Sequence, residues 1–562
     1  MYKKYLLILY IFLIFTHMNA QMADLIIYNG NVHTMDLKAP FASAIAIKGA
    51  NILAVGNDAD ILPMAKESTQ LLDAGKKFVM PGFIEGHGHF FSFGEATKML
   101  RLEEAKSWND IIDSVKTRVS GVKPGEWIVG RGWHQEKWEK VPEMVFAGFP
   151  YHDELSRISP DHPVMLKHAS GHLVFVNQKA MELCGIDQNT KDPEGGSIFR
   201  DEKNRITGVF NENAMDLITQ VFEQSKTAGE SQGNYWLSCV EEAQNQCLKH
   251  GVTSFHDAAS TVVEMLRYGK LAENEALSTR LWVMAYDNPD NLRTYFAKEK
   301  DQKTNPYFRV GGVKAFIDGA LGSYGALFTE PYADNPAVSG QLVTPESTLE
   351  QLADICLEFD RQLCTHAIGD KGNRIVLDVY ASRLDGKDRR WRIEHAQHLT
   401  KEDIPRFARL GIVAAMQPIH CTSDAPYVEK RLGKERAASG AYMWRTLLDS
   451  GTKLNFGTDT PIEALDPIKN IFAAVTRKPS PDGAAFYPGQ TVSRQEALYL
   501  YTMGNAYSVF EEDIKGSLSP GKLADVVIVD QDLIGCSDEE LFHAKITHTI
   551  VGGMIKYRLE GE

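Results

Sequence analysis

Cysteine is scarce in this sequence. Seven occur in 562 residues (Cys184, Cys239, Cys247, Cys356, Cys364, Cys421 and Cys536), an odd number with no C-x-x-C pair. That excludes a disulfide-built scaffold and points to buried thiols, with a disulfide or two left open. A basic excess is missing as well. Sixty Lys and Arg against 74 Asp and Glu leave a net charge of −14, which argues against nucleic acid or an anionic membrane surface, since both need a basic face. After the first twenty residues no window reads as a transmembrane helix. No internal repeat or low-complexity tract is apparent. The Gly-rich run from Asp318 to Ser323 lacks the Gly-Lys-Ser/Thr ending of a phosphate-binding loop.

What is present begins with MYKKYLLILYIFLIFTHMNAQ. Lys3 and Lys4 precede an apolar run from Leu6 to Phe15, and Met18-Asn19-Ala20 offers a small-residue cleavage site. Residues 1–20 therefore read as a signal peptide rather than a retained anchor, and predict a secreted or periplasmic protein. No cysteine follows closely enough for lipid anchoring. The length exceeds one simple core. ADLIIYNGNVHTMD, ASAIAIKGANILAVGND and STQLLDAGKKFVMPG read as hairpins broken at Asn-Gly and Gly-Asn turns. GSLSPGKLADVVIVD and HAKITHTIVGGMIKYRL at the other end match them. The reading is one small β-sandwich domain assembled from both termini, residues 21–80 and 491–562.

Between these pieces, apolar strands alternate with helical patterning. FVMPGFIEGHGH, GVTSFHDA, RLWVMAY, VGGVKAFIDG, QLCTHAIGD, RWRIEHAQ, GIVAAMQPIH and KLNFGTDTP give eight strands, each ending in polar residues. Eight strand-then-helix units predict an α/β fold, a (β/α)8 TIM barrel over 81–490 with its site at the C-terminal strand ends. Residues of about 91–248 carry strands of their own, GEWIVGRGW and PVMLKHASGHLVFVN, and form a large insertion after barrel strand one.

The H-x-H of PGFIEGHGHF puts His87 and His89 on one face of a strand. Alone it decides little. Lys314 on strand four, His366 on strand five, His395 on strand six and Asp459 on strand eight fall at equivalent ends, which a closed barrel brings together. Neutral imidazoles with a carboxylate suit zinc or a similar divalent ion. A lysine ammonium cannot ligate a cation, so Lys314 joins only if carboxylated or deprotonated, and otherwise pairs with Asp318. One or two ions are both compatible with this set.

With these stretches, and with VGRGWHQEKW, HASGHLVFVN, THAIGD, RIEHAQ and FGTDTPI, nearly the whole chain after the signal resembles the amidohydrolase superfamily, and more closely its YtcJ-like members (amidohydrolase family 3). The resemblance implies metal ligands at His87, His89, His366 and His395, Asp459 beside the metal, and Lys314 where many relatives carry a carboxylated bridging lysine. It implies Asp459 as general base and then acid, and His172 as a donor to the substrate carbonyl. Trp133, His134 and Asp318 are expected in the substrate pocket, although relatives commonly have Asp where this chain has His134. The implied activity is hydrolysis of a non-peptide C–N bond in an amide, formamide or cyclic amide. An esterase, lactonase or deaminase on the same barrel is the alternative, and a ligand-binding protein without turnover the third reading. The expected partner is a small-molecule substrate, with no nucleic acid and no membrane once the signal is cleaved; self-association into a homo-oligomer is left open.

Overall fold

The computed structural model describes residues 22–140, 142–225, 231–299, 305–384 and 386–561. The signal-peptide stretch lies outside them. Eight parallel strands form one sheet: Phe83–Gly88, Val252–Ser260, Arg280–Ala285, Phe308–Phe316, Gln362–Ala367, Arg392–His395, Val413–Met416 and Lys453–Phe456. They are numbered one to eight below. Their near-continuous burial is what a parallel sheet covered by helices demands. A single bridge, Gly88 to Thr460, joins strand one to the end of strand eight. Two hydrogen bonds reinforce it, Asp459 N to His87 O (2.7 Å) and His89 N to Thr460 O (2.7 Å). The eight-stranded barrel is thus nearly closed, and its seam runs through the residues of interest.

The terminal strands build two packed sheets. In one of them Val526–Val529 runs antiparallel to Phe78–Pro81, so the two ends of the chain share a ladder. Leu25, Ile45, Ile47, Val79, Val526 and Ile528 fill the space between the sheets. Residues 494–508, assigned to this domain from the sequence, instead form the helices Arg494–Leu500 and Met503–Ser508 packed on barrel strand eight. Asn505 Nδ2 donates to Ile84 O and Phe456 O. Their period is helical and their apolar face belongs to the barrel; the C-terminal β contribution starts at Val526.

The insertion carries a six-stranded sheet with a core on each face, around Trp108, Trp133 and Phe175 on one and Met165, Ile198 and Phe210 on the other. It is shorter than expected. Helix Ser231–Lys249 packs on the helix Phe90–Ala96 and on strand two, and so belongs to the barrel's outer layer. The seven cysteines are all free.

Candidate active site

The site is built on the seam. Glu85, fully buried on strand one, accepts the backbone N–H of Thr458 (2.6 Å) and the hydroxyl of Tyr501 (3.2 Å). It fixes the strand-eight loop against strand one. Gly86 and Gly88 are dictated by crowding. A Cβ on Gly86 would lie 2.2 Å from Asn505 Oδ1 and 2.4 Å from Phe456 O, and one on Gly88 would lie 2.5 Å from the Phe255 ring. The glycines admit neighbouring strands and not an ion.

Four imidazoles converge on Asp459. His87 and His89 approach its Oδ1 through Nε2 at 3.5 and 3.2 Å. The other ring nitrogen of each is engaged outward. His87 Nδ1 donates to Glu394 Oε2 in a short contact, and His89 Nδ1 donates to Ala258 O at 2.7 Å. Glu394 is gripped by Arg392, Nε at 2.7 Å and Nη2 at 2.8 Å, and Arg392 also reaches Gly86 O and His256 Nδ1. Burial opposes ionisation of Glu394, but Arg392 and His87 hold its carboxyl well below the usual range. His395 Nδ1 donates to Gln417 Oε1 at 2.7 Å, and Gln417 Nε2 donates to Ala415 O, which fixes the amide's orientation. Burial pushes both His366 and His395 well below the ordinary imidazole value, so they stay neutral. His366 Nε2, buried, has no hydrogen-bond partner among the described residues and lies 3.6 Å from Asp318 Oδ1.

Backbone strain marks the same residues. His395 and Asp459 have φ of 73° and 62°, a left-handed region that non-glycine residues visit at a cost and that clusters at functional sites.

His420 is the partner that sequence alone did not single out. It sits in the first turn of the helix Pro418–Leu432, with Nε2 3.2 Å from Asp459 Oδ2 and Nδ1 3.5 Å from Glu463 Oε1. Burial resists its protonation, yet these two carboxylates carry its pKa up to about 10. His172, from the insertion, is ion-paired to Glu212 at 2.7 Å, and its ring lies 5.0 Å from that of His366. Burial works against its charge, but Glu212 raises its pKa above the ordinary value.

Lys314 does not pair with Asp318. Its Nζ lies 3.4 Å from His87 Nε2, and burial lowers its pKa to about 8 against the pull of Glu394 and Asp459. Asp318 instead accepts the backbone N–H of Leu327, Ile368 and Gly369 and is not among the residues lining the cleft that holds His366 and Asp459. Burial carries its pKa up to about 7. Trp133 is likewise no pocket wall. A register shift between Arg131 and Trp133, with Gly132 at φ 97°, turns the indole into the insertion's core, where Nε1 donates to Leu166 O. The following His134 does line the cleft, with Ser170, His172, His366, His395, His420, Asp424, Tyr427, Asp459 and Glu463. A larger cavity of about 720 Å³ lies between Met35–Phe41 and the start of strand eight (Thr452–Leu454) and holds none of these side chains. The chemistry, rather than the volume, locates the site.

The residues fit a divalent cation. Asp459 Oδ1 is buried with no hydrogen-bond partner among the described residues, and the ligand atoms of His87, His89 and Asp459 lie within 4.8 Å of one another.

Comparison with known proteins agrees with this geometry. A family model described as "Amidohydrolase family" matches residues 70–557. The chain is 33% identical to Protein LONG AFTER FAR-RED 3 of Arabidopsis thaliana, over 95% of this chain and 92% of that protein. It is 30% identical to YtcJ of Bacillus subtilis strain 168 (94% and 98% covered) and 26% identical to N-substituted formamide deformylase of Arthrobacter pascens (96% and 99%). Among solved structures, an uncharacterized metal-dependent hydrolase from Pyrococcus furiosus superposes with a TM-score of 0.71 at 28% identity, covering 91% of this chain and 99% of that one.

Proposed function

The chain belongs to the amidohydrolase family, and on that premise we propose that it is a metal-dependent hydrolase of a non-peptide C–N bond, in an amide, formamide or cyclic amide. One observation carries the reading. Asp459 Oδ1 and the Nε2 atoms of His87 and His89 are acceptors facing one another at 3.2 and 3.5 Å, with each Nδ1 proton committed outward. The Lys314 ammonium reaches only His87 Nε2, at 3.4 Å, so acceptors so placed favour a cation among all three. Imidazoles with a carboxylate favour zinc. A divalent ion held there makes water more acidic and polarises a carbonyl.

The chain's own groups supply the remaining chemistry. Asp459 Oδ1 faces the ion position, so Oδ2, which keeps a free lone pair beside His420, takes the water's proton and returns it to the leaving nitrogen. His420, held between Asp459 and Glu463, stops that carboxylate from rotating. His172, charged against Glu212, offers Nε2–H to the carbonyl oxygen as negative charge gathers there. Lys314, neutral at modestly alkaline pH, is in the form that carboxylation requires. Support for nitrogen rather than oxygen as the leaving atom comes from the relative that bears the name formamide deformylase. The signal-like residues 1–20 support export to the periplasm or beyond.

The test is metal quantification of purified protein, combined with a screen of N-acyl, N-formyl and cyclic amides against matched esters. His366→Ala and Asp459→Asn should abolish turnover. Protein that carries no divalent metal, and gains none on reconstitution, sinks the reading; faster ester turnover moves it to the other bond class.

A further inference from the structure

One donor in the cleft has no acceptor. His134 is 5% exposed and lines the cleft together with Gly322, Tyr427 and Asp459. The backbone N–H of Glu136 donates to its Nδ1 at 3.2 Å, so Nδ1 carries the lone pair. Burial holds this imidazole well below its ordinary pKa, and its single proton is therefore on Nε2. That N–H is buried without a hydrogen-bond partner among the described residues, an arrangement that costs stability until an acceptor meets it.

Its surroundings keep it so. The ring stacks on Tyr427 with centroids 4.8 Å apart, and lies 4.5 Å from the ring of His168. His168 has no acceptor to offer, because its Nδ1 takes the N–H of Ser170 and its Nε2 donates to Gln135 Oε1. Gly322 keeps the approach clear. A Cβ there would stand 2.9 Å from His134 Nε2 and 3.4 Å from Tyr427 Oη, inside the donor's hydrogen-bonding shell. We propose that His134 is a specificity-determining residue whose Nε2–H binds an uncharged oxygen of the substrate, a carbonyl or ether beyond the scissile amide. This rests on the hydrolase reading above.

Two observations define that oxygen. The scissile carbonyl already has His172 as its donor, so His134 serves a second acceptor. The cations of the cleft are also matched: Lys137 acts on Glu463, His420 on Asp459 and Glu463, and His172 on Glu212. Asp424, which accepts the Tyr427 hydroxyl proton, stands beside the stacked pair. A substrate anion at Nε2 would meet that carboxylate; a neutral oxygen would not. A site built to hydrogen-bond a substrate group rejects the analogue that lacks it.

Formamides test this, since the small formyl group leaves the chain on nitrogen to explore the pocket. N-hexylformamide is compared with ether analogues, in which oxygen replaces one chain methylene at a time, and with the N-formyl derivative of 6-aminohexanoate. Turnover is read on the metal-loaded wild type, and binding by calorimetry on metal-loaded Asp459→Asn protein. One ether should exceed N-hexylformamide about 10- to 100-fold in kcat/KM and in affinity, and the carboxylate should fall below that ether. His134→Phe keeps an aromatic ring on Tyr427 without the N–H, and should abolish the preference. Gly322→Ala, which puts a methyl group in the donor's shell, should do the same and covers the case of His134→Phe failing to fold. The proposal is overturned if no ether is preferred, if the carboxylate is best, or if the preference survives in either folded variant. A preference in binding with no compound turned over removes the hydrolase reading and keeps the His134 assignment; turnover with no preference removes only this inference.

Discussion

Glu394→Gln is the sharpest perturbation of the site that touches no cleft-lining atom. Three donors converge on this carboxylate: Arg392 Nε, Arg392 Nη2 and His87 Nδ1. All three residues are at most 1% exposed. An amide of the same shape offers one oxygen and one NH₂, so at least one donor must face another donor. It also leaves the Arg392 guanidinium buried without its counter-charge. Removing one partner of a buried pair costs about 3–5 kcal/mol. The low end is expected here, because Gly86 O at 2.7 Å and His256 Nδ1 at 3.2 Å still accept from Arg392. The His87 ring loses its anionic anchor, which should weaken metal affinity about 10- to 100-fold. The assays are urea unfolding of the metal-free protein and chelator competition for the bound ion. Asp538→Asn is the control: it breaks the Arg494–Asp538 pair, whose carboxylate is 55% exposed, and should shift stability by less than about 1 kcal/mol. A Glu394→Gln protein that unfolds at the wild-type midpoint and holds its metal as tightly would refute the argument.

Glu212→Gln should lower kcat with metal content unchanged, because it removes the charge that keeps His172 protonated; single-turnover rates and metal analysis on one sample separate the two. Burial raises the Glu85 carboxyl from its ordinary 4.5 to about 8, so the folded state holds a proton that the unfolded state has released. Stability should therefore fall as pH rises from about 4.5 to about 8, and urea midpoints at pH 6 and 8.5 should converge in Glu85→Gln. Arg431, fully buried, joins Glu136 of the insertion to Asp334 and Gly322 O of the barrel loops. Arg431→Met should cost about 3–5 kcal/mol and speed proteolysis of the insertion, read by gel; an unchanged digestion rate would show that the clamp is not what seats it.

The barrel and five of the site's side chains were legible because strand periodicity is simple. His87, His89, His366, His395 and Asp459 stand at strand ends, where a parallel barrel can only gather them. His420 escaped because it lies in the first turn of the helix that Pro418 opens, past the end of strand seven at Met416, where alternation says nothing. Glu394 escaped because neighbours on a strand should face opposite ways; the left-handed backbone at His395 ends the strand and lets both residues serve the interior. The Trp133 expectation failed for the same reason in reverse, since the bulge at Gly132 inverts the alternation and hands the cleft to His134. Glu212 is forty residues from His172, and only the pairing of their strands inside the insertion brings them together.

The seam between strands one and eight has a consequence for how the chain comes together. A single bridge and two flanking hydrogen bonds close it, although it joins segments about 370 residues apart, the costliest contact in entropy that the barrel must form. The ligands sit on both sides of that joint. An ion captured there acts as a clasp on the last edge to zip, stabilising the closed barrel by mass action. Metal starvation should then show first as a gaping joint, with faster hydrogen exchange at Gly88 and Thr460, before any strand elsewhere in the barrel loosens.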